Sequence, residues 1–518
     1  GGKFSACCEA DVGLGYTAWH MPTAPSPSPL DELAQDLTRP LCVDLDGTLI
    51  RTDSLWEGVA HVLARRPWLL IAMGFWLLSG RAAFKAKVST HGPRPASSLP
   101  YRAELVEALR AAKAKGRRLV LATAADRNVA DGVEAHLRLF DEVLASDGHE
   151  NLKGKHKRDA LSKRYGSRGF DYVGDSAADL AVFEGAATGY LIGAAPSVVA
   201  RARSVQNIRV ITPRQGLVRA LVKQLRVHQW AKNALVLVPL MLAQGTTQYG
   251  LVGMALVAAG TFSLCASAGY VLNDLLDLEA DRVHPEKSRR PFASGALPIL
   301  LGPPLFVGLL ALSFGVAAVY LSPAFIAMLA LYFVGTVTYS LYLKRLLLVD
   351  VLVLAGLYTH RIIAGGIATH VPVSAWLLAF SLFIFLSLAF AKRFIELKTL
   401  TGDGKVRNRG YYATDLGMVG SMGTASGYIA ALVFSLYVEL GSHAGLYRAG
   451  VLLWLAVPVL LFWISRIWIL SGRGQMQEDP VKFALKDPVS MICGVLVLGI
   501  AFTARTAPAI VMQFLQME

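Results

Sequence analysis

From about residue 233 to 511 the chain is a succession of apolar runs, at approximately 233–244, 250–272, 299–320, 323–343, 349–369, 374–391, 417–438, 449–470 and 489–511. About 20 apolar residues match the hydrocarbon core of a bilayer, and inside it a lone segment can satisfy its backbone only as a helix. These runs predict an all-α polytopic membrane domain of about nine transmembrane helices, the first of them short. Composition agrees, with 54% hydrophobic residues among 518 and a mean hydropathy of +0.45. The net charge of +14 sits in short loops and in the first 230 residues. It lacks the aromatic interleaving of a nucleic-acid groove, so anionic lipid and phosphate are the expected partners and nucleic acid is not. Cys7, Cys8, Cys42, Cys265 and Cys493 contain no C-x-x-C pair, and neither a disulfide framework nor a zinc site is indicated. Lys and Arg crowd the connections at 282–290, 344–345, 392–409 and 473–486, while the alternate ones hold only Arg448. The positive-inside rule then places the basic loops in the cytoplasm of a bacterial-type inner membrane.

The second run passes directly into residues 273–291, NDLLDLEADRVHPEKSRRP. Asp274, Asp277 and Asp281 fall at i, i+3 and i+7 on one helical face. Such a row of oxygen ligands suits Mg²⁺, which keeps waters and bridges to substrate phosphates. Lys287 and Arg290 follow closely, so a phosphate-rich ligand could be gripped from both sides. A merely solvated loop fits less well. The carboxylates begin while the apolar helix is still running, where each charge costs about 3 kcal/mol unless it faces a cavity.

Asn273, Asp274, Asp277 and Asp281 match in full the N-D-x-x-D-x-x-x-D motif of the UbiA superfamily of intramembrane prenyltransferases, which this stretch resembles. LRVHQWAKN at 225–233 resembles the start of UbiA domains. The continuation D-R-x-H-P-x-K-x-x-R-P resembles the polyprenyl-phosphate phosphoribosyltransferase branch. That likeness implies a polyprenyl phosphate acceptor and a phosphoribosyl pyrophosphate (PRPP) donor. The family's second motif is incomplete: Tyr339, Lys344 and Asp350 are present, but Leu354 stands where another aspartate is usual. Asp350 is then expected to add one metal carboxylate, and Lys344 to grip phosphate. Arg361, three turns beyond Asp350 in an apolar helix, is expected to meet either a substrate phosphate or a structural counter-ion. Lys392, Arg393 and Glu396 resemble the K-R-x-x-E of the same branch.

The first half reads differently. LCVDLDGTLI (41–50), RRLVLATA (117–124) and FDYVGDSAAD (170–179) are short apolar strands ending in polar residues, with helical stretches between them. This is the alternation of a doubly wound, Rossmann-like α/β sheet, whose ligands bind at the strands' carboxyl ends. D-x-D-G-T followed by G-D-S-x-x-D resembles the haloacid dehalogenase superfamily of phosphatases. By that resemblance Asp44 is the nucleophile, Asp46 the general acid and base, and Thr123 a phosphoryl ligand. Asp44, Asp46 and Asp175 are expected to form a Mg²⁺ site that Asp179 supports. Lys157 is the expected charge-balancing lysine, with Lys153 and Lys155 as rivals.

Residues 50–100 read as a helical cap, with 68–79 as an interfacial helix or a buried one. The expected organisation is a disordered stretch at 1–37, whose first 20 residues precede Met21 as an artificial extension, a phosphatase domain at 38–197, a basic linker at 198–225 and the membrane domain at 226–518. The expected activity is transfer of 5-phosphoribose from PRPP to a polyprenyl phosphate, then removal of the 5-phosphate to give a lipid-linked ribose for cell-surface glycans. Mg²⁺ is expected in both domains, and a homo-oligomer is left open. The alternative is an aromatic prenyltransferase, with an acceptor such as 4-hydroxybenzoate and a regulatory phosphatase-like domain.

Overall fold

Six short strands, β1 (Leu41–Val43), β2 (Leu119–Asp126), β3 (Glu142–Ser146), β4 (Asp171–Gly174), β5 (Gly189–Ala194) and β6 (Ile208–Pro213), form one parallel sheet in the order β3-β2-β1-β4-β5-β6. This computed structural model describes residues 30–506 apart from 67, 79, 92–94, 148–150, 206, 214–215, 243–248, 401–403, 405–408, 441–446 and 477–478. The expected disorder at 1–37 therefore falls mostly outside the described residues. Two units are resolved by their internal packing, Gly1–Leu55 with Met73–Arg214, and Trp56–Ala72 with Gln215–Glu518.

In the first unit, pleating divides the strands between two cores. Leu41, Val43, Leu119 and Leu121 join Leu105, Leu109 and Val133 on one face; Cys42, Val120 and Ala122 join Leu161, Phe170 and Phe183 on the other. The chain between β1 and β2 carries α1 (Ser54–Arg65), α2 (Leu69–Leu78), α3 (Arg81–His91) and α4 (Ala103–Ala114). The later crossovers are α5 (Arg127–Leu137), α6 (Lys155–Tyr165), α7 (Leu180–Gly185) and α8 (Pro196–Ala202). The strand order reverses between β1 and β4, which fixes the ligand crevice at their carboxyl ends. One boundary differs from expectation. β6 lies inside the stretch read as a linker, because Ile208 to Pro213 pair with β5 and complete the sheet. The cap region is helical; α2 leaves Phe75 and Leu78 exposed, and Trp68 just before it is exposed as well.

The second unit opens with α9 (Leu217–Leu225). The first apolar run is not a spanning helix. It folds as a 3₁₀ segment, Val227–Leu237, and the five-residue α10 (Val238–Leu242), far short of a bilayer's thickness. Then come α11 (Tyr249–Leu276), α12 (Leu278–Val283), α13 (Gly302–Tyr320), α14 (Pro323–Leu341), α15 (Val349–Thr369), α16 (Ala375–Lys398), α17 (Leu416–Leu440), α18 (Ala456–Arg473), α19 (Pro480–Ala484) and α20 (Pro488–Thr506). Among the described residues eight helices are long and apolar enough to span a membrane, where nine runs had suggested about nine.

Most of α1 packs within this second unit rather than with the sheet. Trp56 and Ala60 join a core with Leu221, Phe292 and Leu297. The Glu57 carboxylate accepts hydrogen bonds from both terminal nitrogens of Arg282, at 3.0 and 2.5 Å, with both side chains nearly inaccessible. His61 Nδ1 stands 2.5 Å from Glu279 Oε1. An acid in a cap helix and an arginine in the acidic motif, 225 residues apart in sequence, form one buried pair.

Candidate active sites

The β1–β4 crevice gathers the first constellation. Asp44 follows β1 and Asp175 follows β4, and carboxylate oxygens of Asp44, Asp175 and Asp179 lie within 4.8 Å of one another. Lys157, on α6, donates to Asp44 Oδ1 at 2.7 Å and to the Tyr172 hydroxyl at 2.9 Å. Lys153 and Lys155 are exposed, so Lys157 is the one of the three that reaches Asp44. Tyr172 passes the connection on, donating to Asp179 Oδ1 at 2.8 Å, while Ser176 donates its N–H and hydroxyl to Asp179 Oδ2 at 2.9 and 2.6 Å. Thr123 ends buried on β2, its hydroxyl accepting from the Ala125 N–H at 3.0 Å. Asp46 turns the other way and accepts from the Ser54 N–H at 2.8 Å. Of the expected metal set, the carboxylates of Asp44 and Asp175 are grouped with that of Asp179, while the Asp46 carboxylate turns to the start of α1.

Burial pushes the Asp44 carboxyl up to about 6, against the pull of Lys157, and pushes Asp46 up to about 7 with Asp53 and Asp44 adding repulsion. Asp175 is driven well above the usual carboxylate range by burial and by Asp179 and Asp44. Crowded, desolvated carboxylates beside one lysine are the donor set that a hard divalent cation relieves, so these residues fit Mg²⁺. An Asp46 that holds a proton near neutrality suits a general acid.

Gly47 has φ +77°, and a Cβ there would overlap the Asp175 carboxylate. Arg102 fastens this turn through the carbonyls of Gly47 and Thr48, at 2.8 and 2.9 Å. Gly47→Ala is expected to displace Asp175 and cut phosphomonoester hydrolysis about 100-fold, as misplacements of about 1 Å do. Turnover of a small phosphate ester by the purified protein measures it.

In the second unit, the last turn of α11 carries Asn273 and Asp274. Asn273 is half-buried, and its carbonyl accepts from the Asp277 N–H at 2.8 Å, carrying the helix toward α12. Asp274 is buried. It accepts from Gln224 at 2.9 Å, Arg226 at 2.5 Å and Arg290 at 3.0 Å. Arg290 also reaches Asp281 at 2.5 Å, and Lys344 lies 3.4 Å from Asp277. Lys287 stands exposed in the turn just before Arg290. Arg290 thus joins Asp274 to Asp281, while Asp277 pairs with Lys344; among the described residues these three carboxylates are not drawn together as Asp44, Asp175 and Asp179 are. That arrangement fits a ligand carrying both metal and phosphate, because either can exchange with the other's partners.

Asp350 is placed differently from expectation. It has no exposed surface; Tyr411 donates to it at 2.6 Å, Arg393 Nε lies at 3.2 Å and Arg409 at 3.6 Å. Glu396 pairs with Arg393 and lies 3.8 Å from Arg409. Leu354, one turn on, packs in the adjoining apolar core with Val351 and Phe390. The second motif is thus an internal ion-pair network. Asp350→Asn, which leaves Arg393 at 1% exposure with Glu396 as its remaining carboxylate, is expected to destabilise the protein by roughly 1–3 kcal/mol. Its melting temperature in detergent should fall accordingly. Among the described residues Arg361 has no carboxylate counter-ion within 4.0 Å; its hydrogen bonds go to neutral groups, Asn233, the Leu357 carbonyl and Tyr332.

Gln224, Arg226, Arg409 and Tyr411 were missed in the sequence. Arg226 lies within LRVHQWAKN and Gln224 directly precedes it, but nothing there marks them as partners of Asp274, and Arg409 and Tyr411 carry no signal either. A family model described as the UbiA prenyltransferase family matches residues 234–486, and one described as haloacid dehalogenase-like hydrolase matches 41–184. An uncharacterised protein of Sinorhizobium fredii, y4nM, is 36% identical over 471 residues, 89% of this chain and 90% of its own. The chain belongs to the UbiA prenyltransferase family. It carries a haloacid dehalogenase-like domain ahead of the UbiA domain. Nodulation protein NoeC of Azorhizobium caulinodans is 38% identical over 54% of this chain and 91% of its own. Decaprenyl-phosphate phosphoribosyltransferase of Mycobacterium tuberculosis is 31% identical over 58% of this chain and 97% of its own. Multi-pass membrane residence follows from the UbiA domain and its apolar helices.

Proposed function

We propose that the chain is a two-step enzyme that moves 5-phosphoribose from PRPP to a polyprenyl phosphate and then removes the 5-phosphate. The observation that carries this reading is Leu354, packed in the apolar core one turn beyond Asp350 where a second aspartate is usual: the second motif holds a single carboxylate, paired with Arg393 and Arg409. The likeness to the mycobacterial phosphoribosyltransferase along nearly all of its length supports the same donor. In the transferase, Mg²⁺ held by Asp274, Asp277 and Asp281 would offset the charge of the departing pyrophosphate. Arg290, Lys287 and Lys344 hold phosphate oxygens. Arg393, Glu396 and Asp350 form an ion-pair network with Arg409, which lies 3.5 Å from the Lys344 carbonyl. Electrostatic stabilisation of the leaving group is the main contribution of these residues.

In the phosphatase, Mg²⁺ held by Asp44, Asp175 and Asp179 would screen the incoming phosphate from the carboxylates. Asp44 Oδ attacks phosphorus, Asp46 protonates the leaving sugar oxygen and then activates water, and Lys157 and Thr123 hold the phosphoryl oxygens. The product is a lipid-linked ribose, a donor for cell-surface glycans. Both sites face the cytoplasm of a bacterial inner membrane, and the basic loops support that sidedness. The test is incubation of the purified protein in detergent with polyprenyl phosphate and radiolabelled PRPP, followed by lipid extraction. Labelled lipid supports the reading; its absence, with prenylation of an aromatic acid from a prenyl diphosphate, would replace PRPP by the aromatic prenyltransferase alternative.

A further inference from the structure

Transfer between two phosphate-bearing substrates needs two anion seats, and the acidic motif with Arg226, Arg290 and Lys344 accounts for one. A second cationic cluster lies on other elements of the same unit. Arg361 is 7% exposed within the span Val349–Thr369. Its Nε donates to Asn233 Oδ1 at 2.9 Å, and its terminal nitrogens donate to the Leu357 carbonyl at 2.6 Å and the Tyr332 hydroxyl at 2.9 Å. Its guanidinium carbon lies 4.8 Å from the centroid of the Tyr332 ring and 5.2 Å from that of Tyr358. Every one of these partners is neutral. Among the described residues no carboxylate lies within 4.0 Å of it, although a buried charge in a membrane helix is costly without an anion.

The Tyr358 ring also has Lys232 at 5.9 Å. Lys232 shares a single carboxylate oxygen, Asp479 Oδ2, with Lys392, each at 3.2 Å. Three cations from the 3₁₀ segment, α15 and α16 therefore stand along one tyrosine and one aspartate, with a formal excess of positive charge. The excess is what a dianionic phosphate monoester balances, and Asp479 meanwhile occupies the lysines as such a phosphate would.

Building on the proposed transfer reaction, we propose that Arg361, Lys232 and Lys392 seat the phosphate monoester of the lipid acceptor, apart from the pyrophosphate-bearing donor. The seat suits the chemistry. An acceptor phosphate oxygen is anionic at neutral pH, so it attacks the anomeric carbon without a general base. The new carbon–oxygen bond forms as the bond to pyrophosphate breaks, and pyrophosphate leaves with the electron pair. The seat's task is to hold the remaining phosphate oxygens in the attacking orientation.

The test uses the full-length protein in detergent, with labelled PRPP and polyprenyl monophosphate varied in turn. Arg361→Gln and Lys392→Gln are each expected to raise KM for the lipid phosphate ~10- to 100-fold, the worth of a charge-assisted hydrogen bond, and to leave KM for PRPP within about twofold. Asp479→Asn, which releases both lysines, should lower the lipid KM, an effect of opposite sign that a purely structural role cannot give. Inorganic phosphate should compete with the lipid, and Arg361→Gln should relieve that competition; competition with PRPP instead would show that the phosphate seat is the donor's. Lys392 is partly exposed, so Lys392→Gln keeps the test sound if Arg361→Gln fails to fold. A rise in KM for PRPP alone, or a lower melting temperature with both KM values unchanged, would overturn the seat while leaving the transferase reading intact. No labelled lipid from the unmodified protein would overturn both.

Discussion

Asp44→Asn is expected to stop the second step and leave the first running. In a lipid extract from protein, polyprenyl phosphate and labelled PRPP, the label should then accumulate in a lipid carrying one phosphate more than the normal product. Removing a nucleophile costs about 10⁴-fold or more, so the final product should fall below detection. The fold should survive. Asparagine keeps an oxygen for the Lys157 ammonium at 2.7 Å, and it removes one charge from three carboxylates that repel one another across the β1–β4 crevice. A melting temperature at or above that of the unmodified protein checks this point. If the final product formed normally in Asp44→Asn, the phosphatase could not be the second step. The domain would then act on a different phosphate ester, and hydrolysis of small esters would still be lost.

Both reaction centres announce themselves in short contiguous motifs, because a strand end or one helical face places neighbouring residues together by local geometry alone. DLDGT and GDSAAD lie at the two strand ends flanking the reversal of strand order, and NDLLDLEAD lies on consecutive turns, so their residues needed no long-range information. Partners brought by tertiary packing were invisible. Gln224 and Arg226 reach Asp274 from about 50 positions away, and Asp479 joins Lys232 across 247. Asp350 shows the opposite failure. Its motif position suggested a ligand, but the loop that brings Arg409 and Tyr411, and the helix that brings Arg393, enclose it. Segment lengths misled in two places: an apolar run of about 12 residues became a 3₁₀ segment and a single helical turn, and β6 hid in a basic stretch because an edge strand needs little apolar sequence.

Among the three motif aspartates, Asp274 is expected to matter most to transfer. It is the point where Gln224, Arg226 and Arg290 converge, and Arg290 ties it to Asp281. Asparagine there turns a buried acceptor of three hydrogen bonds into a group that also presents donors to Gln224 and two guanidiniums. Arg226 loses its carboxylate, and Arg290 keeps only Asp281. Phosphate-gripping cations would then be held out of position as well as less well balanced. Transferase activity should fall about 100- to 1,000-fold, the range for removing one preorganised electrostatic contact. Asp277→Asn disturbs less protein structure, since Asp277 is 44% exposed and Lys344 stands 3.4 Å away. Its loss should therefore depend on Mg²⁺ concentration, whereas the Asp274→Asn loss should persist at any. Hydrolysis of a small phosphate ester by the same preparations should be unchanged in both, which separates damage at this site from damage to the whole protein. If Asp274→Asn transferred phosphoribose normally, the convergence of Gln224, Arg226 and Arg290 would be structural support, and the donor's pyrophosphate would have to sit elsewhere.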